Sequence, residues 1–274
     1  MLKALLNIER IKTLHSPTFR AIIILHAALF LLVSLIGANL HLNIQGITIE
    51  KLFQFPHIWN TIAWIASWFN LILGVLAIML VTNEFQYRTF RKQLIDGLSR
   101  NQLLYGKLLV FITISAYAML LVLICGIIIG VVKSNGNGLA NITQGLEFVP
   151  ILFLQTFGYL MLALLFGALF QNTALSIVAY ILYFFPIEPI IRTIIPEIAA
   201  QYMPVKVIAN LTPMPDFAGI LMGDMIQINS GANNLSGLIT ANQSTPIFIT
   251  ALIAFAYCIL LALGSKAIFH KKNF

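Results

Sequence analysis

The chain has 274 residues, 59% hydrophobic and only 9% charged, with a net charge of +7. A soluble domain carries about 25% charged residues, so this composition excludes a water-covered surface and fits one that faces lipid. The basic excess does not indicate nucleic acid, because apolar runs separate the charges and no long basic or aromatic-basic patch lies outside residues 83–107.

In chain order, residues 1–18 predict a helix lying in the membrane interface. Leu5, Leu6, Ile8 and Ile11 mix with Lys3, Glu9, Arg10 and Lys12, and Pro17 marks the bend into the first span; a frayed tail is the other reading. A helix needs about 20 apolar residues to cross the hydrocarbon core. Ala21–Leu40, Ile58–Thr82 and Leu108–Val132 meet this as spans one to three, the first read as an anchor rather than a removed signal peptide. Phe148 to Ile187 is 40 residues without a charge. As one helix it would run about 60 Å, twice the core, so it should fold back at Gln171-Asn172-Thr173. Span four is then Phe148–Phe170, and span five starts near Ala174 and ends between Phe185 and Ile195. Pro246–Ala267 is span six. Between spans five and six, residues 196–245 divide into an apolar half expected to form short helices on or in the membrane surface, and a polar half expected to be a mobile loop.

Six spans put both termini on one side. That side collects twelve Lys and Arg residues and the other only Lys51, Lys133, Arg192 and Lys206, so both termini and residues 83–107 are expected in the cytoplasm. No internal repeat divides the chain. The expected fold is an all-α membrane protein, one permease-like domain over residues 1–274.

Catalytic patterns are missing from the sequence. It has no His-Glu-x-x-His metal motif and no Gly-x-Ser-x-Gly elbow, and Gly106-Lys107 is followed by Leu108 without the upstream glycine of a P-loop. Cys125 and Cys258 lie inside apolar runs and read as buried thiols. His26, the one histidine within a span, reads as a helix–helix hydrogen-bonder. Glu188 is the acid closest to a span interior; with Arg192 it suggests an i, i+4 pair at the outer interface, or else a proton relay. Ser67, Asn70 and Gln155 are candidates to line a substrate pathway, and Gly126 and Gly130 form a Gly-x-x-x-Gly that permits close helix packing.

Residues 83–107 concentrate five basic and two acidic residues. As a helix, Glu84, Arg88, Lys92 and Asp96 fall at four-residue steps and form one charged stripe. Gly97 ends it, and Ser99 with Gln102 reads as a capping box launching the next helix. The spacing of Glu84, Thr89, Arg91, Leu94, Gly97, Ser99, Arg100 and Lys107 resembles the cytoplasmic loop after the second span in type 2 ABC exporter permeases. That family often has glycine before Thr89, where this chain has Arg88. The interfacial helix, the turn after FGALFQNTA and the long segment before the last span are similar too, and Tyr202 to Pro213 is similar to bacitracin-export-like members.

The resemblance implies a coupling segment of Glu84, Arg88, Thr89, Arg91, Lys92, Asp96, Gly97, Ser99 and Arg100, on which a separate ABC ATPase docks. It implies a bacterial inner-membrane permease that is not itself an enzyme and binds no cofactor, with ATP and Mg on the ATPase, and a second permease, identical or related. The cargo would be hydrophobic or amphiphilic, a peptide antibiotic or lipid-like molecule, moving outward between the permeases along the second and fifth spans. Two other functions fit the same chain: a non-transporting ABC-type scaffold acting on an outer partner, and an ion-coupled carrier using Glu188.

Overall fold

The computed structural model describes residues 2–40, 43–44, 47–134, 141–215 and 246–271. The polar half of the long segment before the last span, residues 227–245, lies outside the described residues.

Six helices are long and apolar enough to cross a membrane. Ahead of them α1 (Leu2–His15) runs to Ser16, whose side chain accepts the amide of Phe19 and caps α2 (Pro17–Asn39), with Pro17 in its first turn. After α2 come a two-residue antiparallel pair, Asn43–Ile44 with Ile47–Thr48, and a short 3-10 turn, Ile49–Phe53. Leu52, Phe53 and Phe55 are buried, so this connection packs into the bundle. Then follow α3 (Ile58–Gln86), the short α4 (Thr89–Ile95) and α5 (Arg100–Lys133). At 34 residues α5 is about 51 Å long, more than the hydrocarbon core, so its first turns extend beyond it.

The expected fold-back occurs. Helix α6 (Phe148–Phe170) ends where Gln171 turns left-handed (φ 55°), and Asn172 caps α7 (Thr173–Leu182) by accepting the amide of Leu175. The fifth span passes through a π-helical turn, Tyr183–Ile187, containing Pro186, into α8 (Glu188–Ile194), and stops before Pro196. Proline removes one backbone donor, and the wider turn accommodates its ring. Two short helices follow, α9 (Glu197–Ala200) and α10 (Pro204–Ala209), and α11 (Ile247–Lys271) is the last span.

Helix α6 is central. Leu160, Met161, Ala163 and Leu164 are buried in one apolar core with Leu73, Ala77 and Val81 of α3 and Phe111 and Ile114 of α5. Helices α2, α7 and α11 keep most of their apolar surface exposed, as lipid-facing or partner-facing helices do. The Nζ of Lys107 on α5 bonds Glu9 of α1, and Arg100 of α5 bonds the carbonyls of Phe269 and His270 on α11. Both terminal helices therefore meet the first turns of α5 at one end of the bundle, hereafter the basic end.

Candidate functional site

At the basic end α3 and α4 do not form one helix. Arg88 has φ 54° and ψ 25°, a left-handed conformation that breaks the chain between them, and Thr89 Oγ1 donates to the carbonyl of Glu84 at 3.2 Å. The continuous stripe expected from Glu84 to Asp96 is therefore cut at Arg88. Glycine adopts this conformation without strain, which is a physical reason for the glycine that the resemblance leads one to expect before Thr89. Gly97, at φ 96°, stops α4. The capping box is present: Ser99 Oγ accepts the amide of Gln102 at 3.3 Å, and Gln102 Oε1 accepts that of Ser99 at 2.6 Å.

Glu84 does not face outward, contrary to the role expected for it. Its Oε1 accepts from Lys107 Nζ at 2.6 Å and from Lys12 Nζ at 3.0 Å, while Lys107 also reaches Glu9 Oε2 at 2.8 Å and Lys12 reaches Glu9 Oε1 at 3.2 Å. Two carboxylates and two ammoniums thus alternate across α1, α3 and α5, and Lys107 is only 2% exposed. A lone buried charge would be costly; this neutral square is tolerable, and removing one corner is not. Glu9 likewise points into the bundle instead of toward headgroups. Burial acts to raise its carboxyl, the Lys107 and Lys12 ammoniums outweigh that, and it ends below its ordinary value of 4.5.

Helix α4 is seated by one side chain. Phe90, 1% exposed, lies 4.8 Å from Phe85 of α3 and 5.5 Å from Phe269 of α11 between ring centroids. Arg100, expected in the coupling surface, is instead spent on the last carbonyls of α11, where a cation also meets the negative end of the helix dipole. What α4 offers outward is Arg88, Arg91, Lys92 and Asp96, all exposed, together with Tyr87 (76% exposed) and Ile95 (77%). The sequence reading missed those two apolar residues; the signal was large apolar side chains inside a charged segment that lies outside the spans.

The opposite end also holds a buried carboxylate. Glu188 is fully buried, and its oxygens accept the amides of Val205 at 3.0 Å and Lys206 at 2.7 Å. It caps α10 from across the chain. Among the described residues it forms no ion pair with Arg192, so the expected i, i+4 pair is replaced by backbone donors. Two more polar ties hold the same segment. Gln155 of α6 donates to the carbonyl of Ala209 at 3.3 Å and accepts from Thr212 Oγ1 at 2.8 Å, and Tyr257 of α11 donates to the carbonyl of Tyr202 at 2.6 Å.

Gln155 and Asn70 are buried inside this single chain, Asn70 Oδ1 accepting from Thr156 at 3.0 Å, and Ser67 donates to the carbonyl of Trp64 at 2.7 Å. The structure thus uses Asn70 and Gln155 as internal ties rather than as open lining, while Ser67 is half-buried and bonded only within its own helix. Gly126 and Gly130 do admit a close approach, but by aromatic rings: a Cβ on Gly126 would lie 2.7 Å from the Trp59 ring, and one on Gly130 would collide with Phe55. His26 meets Tyr117 at 3.4 Å, a contact between α2 and α5. Among the described residues no three His, Cys, Asp or Glu side chains gather as metal ligands.

No curated protein matches the chain. The family model described as ABC-2 family transporter protein matches residues 5–187, which include α1, the charge square, α4 and the first five spans almost to their end. With six apolar helices around that match, the chain belongs to the ABC-2 transporter membrane family and is a multi-pass membrane permease.

Proposed function

We propose that the chain is the permease subunit of an ATP-driven exporter, and that a separate ATPase, carrying ATP and Mg, docks on the outward face of α4. One observation carries this reading. A short helix outside the spans is fixed from beneath by Phe90, and it and its N-terminal flank present Tyr87, Arg91, Lys92 and Ile95, exposed and without an ion pair or side-chain hydrogen bond among the described residues. Exposed aromatic and aliphatic anchors beside Arg are what protein interfaces are built on.

Because Phe90 sits between Phe85 and Phe269, displacement of α4 is passed to the second and sixth spans together. An ATPase pair that contacts α4 differently when closed and when open would then shift the permease between inward- and outward-facing populations. The basic end faces the cytoplasm of a bacterium in this reading, by the twelve-to-four distribution of Lys and Arg. A second permease covers the apolar surface left on the fifth span, and a hydrophobic or amphiphilic cargo passes between the two.

Purification of the chain from its host should bring the ATPase with it. The double charge reversal Arg91→Glu and Lys92→Glu should remove the ATPase, and Ile95→Asp should do the same without touching a basic residue. If all these proteins copurify with an ATPase of unchanged turnover, α4 is not the docking site. The ion-coupled alternative rests on Glu188, and the use of both its oxygens as a helix cap favours a holding role.

A further inference from the structure

A second site lies on the other side of the charge square. Between α1, the start of α2 and α5 there is a half-open groove of about 420 Å³, within the roughly 300–1,000 Å³ of ordinary ligand sites. Its floor is Thr13, Val110 and Ile114, all buried, and its rim includes Arg10, Leu14 and Thr113, all exposed.

The groove is chemically graded along its length. Glu9 also lines its upper end, but Lys107 and Lys12 hold that carboxylate at 2.8 and 3.2 Å, which leaves Arg10 as the uncompensated charge there. Arg10 forms no ion pair among the described residues. From the level of Lys107, α5 descends to Ile114 over seven residues, about 10 Å toward the hydrocarbon core, and the lining becomes apolar. The site thus has one cation at its charged end, a mainly apolar lining of Phe19, Val110 and Ile114 interrupted by Thr13 and Thr113, and an exposed rim.

We propose that this groove binds an anionic phospholipid, with the headgroup phosphate on Arg10 and an acyl chain along Val110 and Ile114. Three features choose a lipid over a protein segment: the groove runs from the charged start of α5 to its apolar run, as a phospholipid runs from head to tail, it opens beside exposed Leu14, and its charge is opposite to that of an anionic headgroup. Binding there would wedge α1 against α5 next to the Glu9–Lys107 contact, so lipid composition would bear on how firmly α1 is held.

The test is native mass spectrometry of the full chain released from nanodiscs of equal phosphatidylglycerol and phosphatidylcholine, counting lipid adducts. The wild type should retain phosphatidylglycerol preferentially, and Arg10→Gln should cut that preference roughly fivefold, the effect of about 1 kcal/mol per interfacial cation. Thr113→Trp, at an exposed position on the rim, should reduce adducts of both lipids by filling the groove. Arg20→Gln, an exposed cation outside the groove, should leave the preference unchanged. Equal loss in Arg10→Gln and Arg20→Gln would mean general surface attraction and overturn the site, as would undiminished adducts in Thr113→Trp. A protein in place of lipid in that mass spectrum would also overturn it.

Discussion

The two ends of the bundle each bury carboxylates, and they neutralise them differently. At the basic end Glu9 and Glu84 share two lysines, so charge meets charge through four flexible side chains on three helices. At the opposite end Glu188 meets no ammonium among the described residues; two amides at the start of α10 supply the positive field. The first arrangement joins whole helices and depends on every member. The second holds one short segment and depends on a single acid.

The sharpest break in this comparison is Lys107→Met. It leaves two buried carboxylates with only the half-exposed Lys12, and should destabilise the chain by about 3–5 kcal/mol; thermal unfolding in detergent measures it. Adding Glu84→Gln should recover part of the loss, because the two positions act through one network. Strict additivity of the two changes would show that the square is not a unit.

Glu188→Ala should have a smaller and more local effect, about 2 kcal/mol for loss of a helix cap. Hydrogen exchange should rise over residues 204–211 and stay unchanged over 89–95. If both ends respond alike, the clasp is not local.

Acidification probes the charge square at the basic end. The folded value of Glu9 is depressed, so its contribution is fully present above 4.5 and disappears as pH falls through the lowered value. Proteolysis within α1 should therefore stay slow at neutral and mildly acidic pH and accelerate only below 4.5. Release of α1 near pH 6 would assign its hold to another group.

The mildest change is Arg88→Gly. Relief of the left-handed conformation, about 1–2 kcal/mol, opposes the greater freedom of unfolded glycine, about 0.5–1 kcal/mol. Unfolding should show a stability equal to or slightly above that of the parent, and a marked loss would mean that the Arg88 side chain holds the turn.

The parts legible in the sequence are those set by neighbours along the chain. Runs of apolar residues located the spans, Gln171-Asn172-Thr173 located the fold-back, and Ser99 with Gln102 announced the start of α5. The same local rules misassigned the charges. Glu84 is four residues from Arg88 but bonds Lys107, 23 positions on, and Glu9 bonds the same lysine across 98. Glu188 passes over Arg192, one turn away, for amides 17 and 18 positions on. An i, i+4 pair at a surface contributes only a few tenths of a kcal/mol, whereas a carboxylate inside the bundle must find a strong donor, so burial decides the partner and the local spacing does not. The backbone break at Arg88 was hidden for another reason: an arginine carries no mark of the left-handed region, and only comparison with glycine at that position hinted at it.

Helix α5 runs without a proline from the capping box beside α4 to Ser134, whose hydroxyl accepts the amide of Phe55 at 3.0 Å. It is thus a stiff rod joined at one tip to the segment that carries α4 and at the other to the buried connection that precedes α3. Tilted by about 5° around its centre, a rod of about 51 Å swings each tip by about 2 Å, in contrary directions. If α4 is where an ATPase docks, as proposed above, a push at that tip would be felt at the Phe55 tip with its sense inverted, the way a seesaw reports a weight.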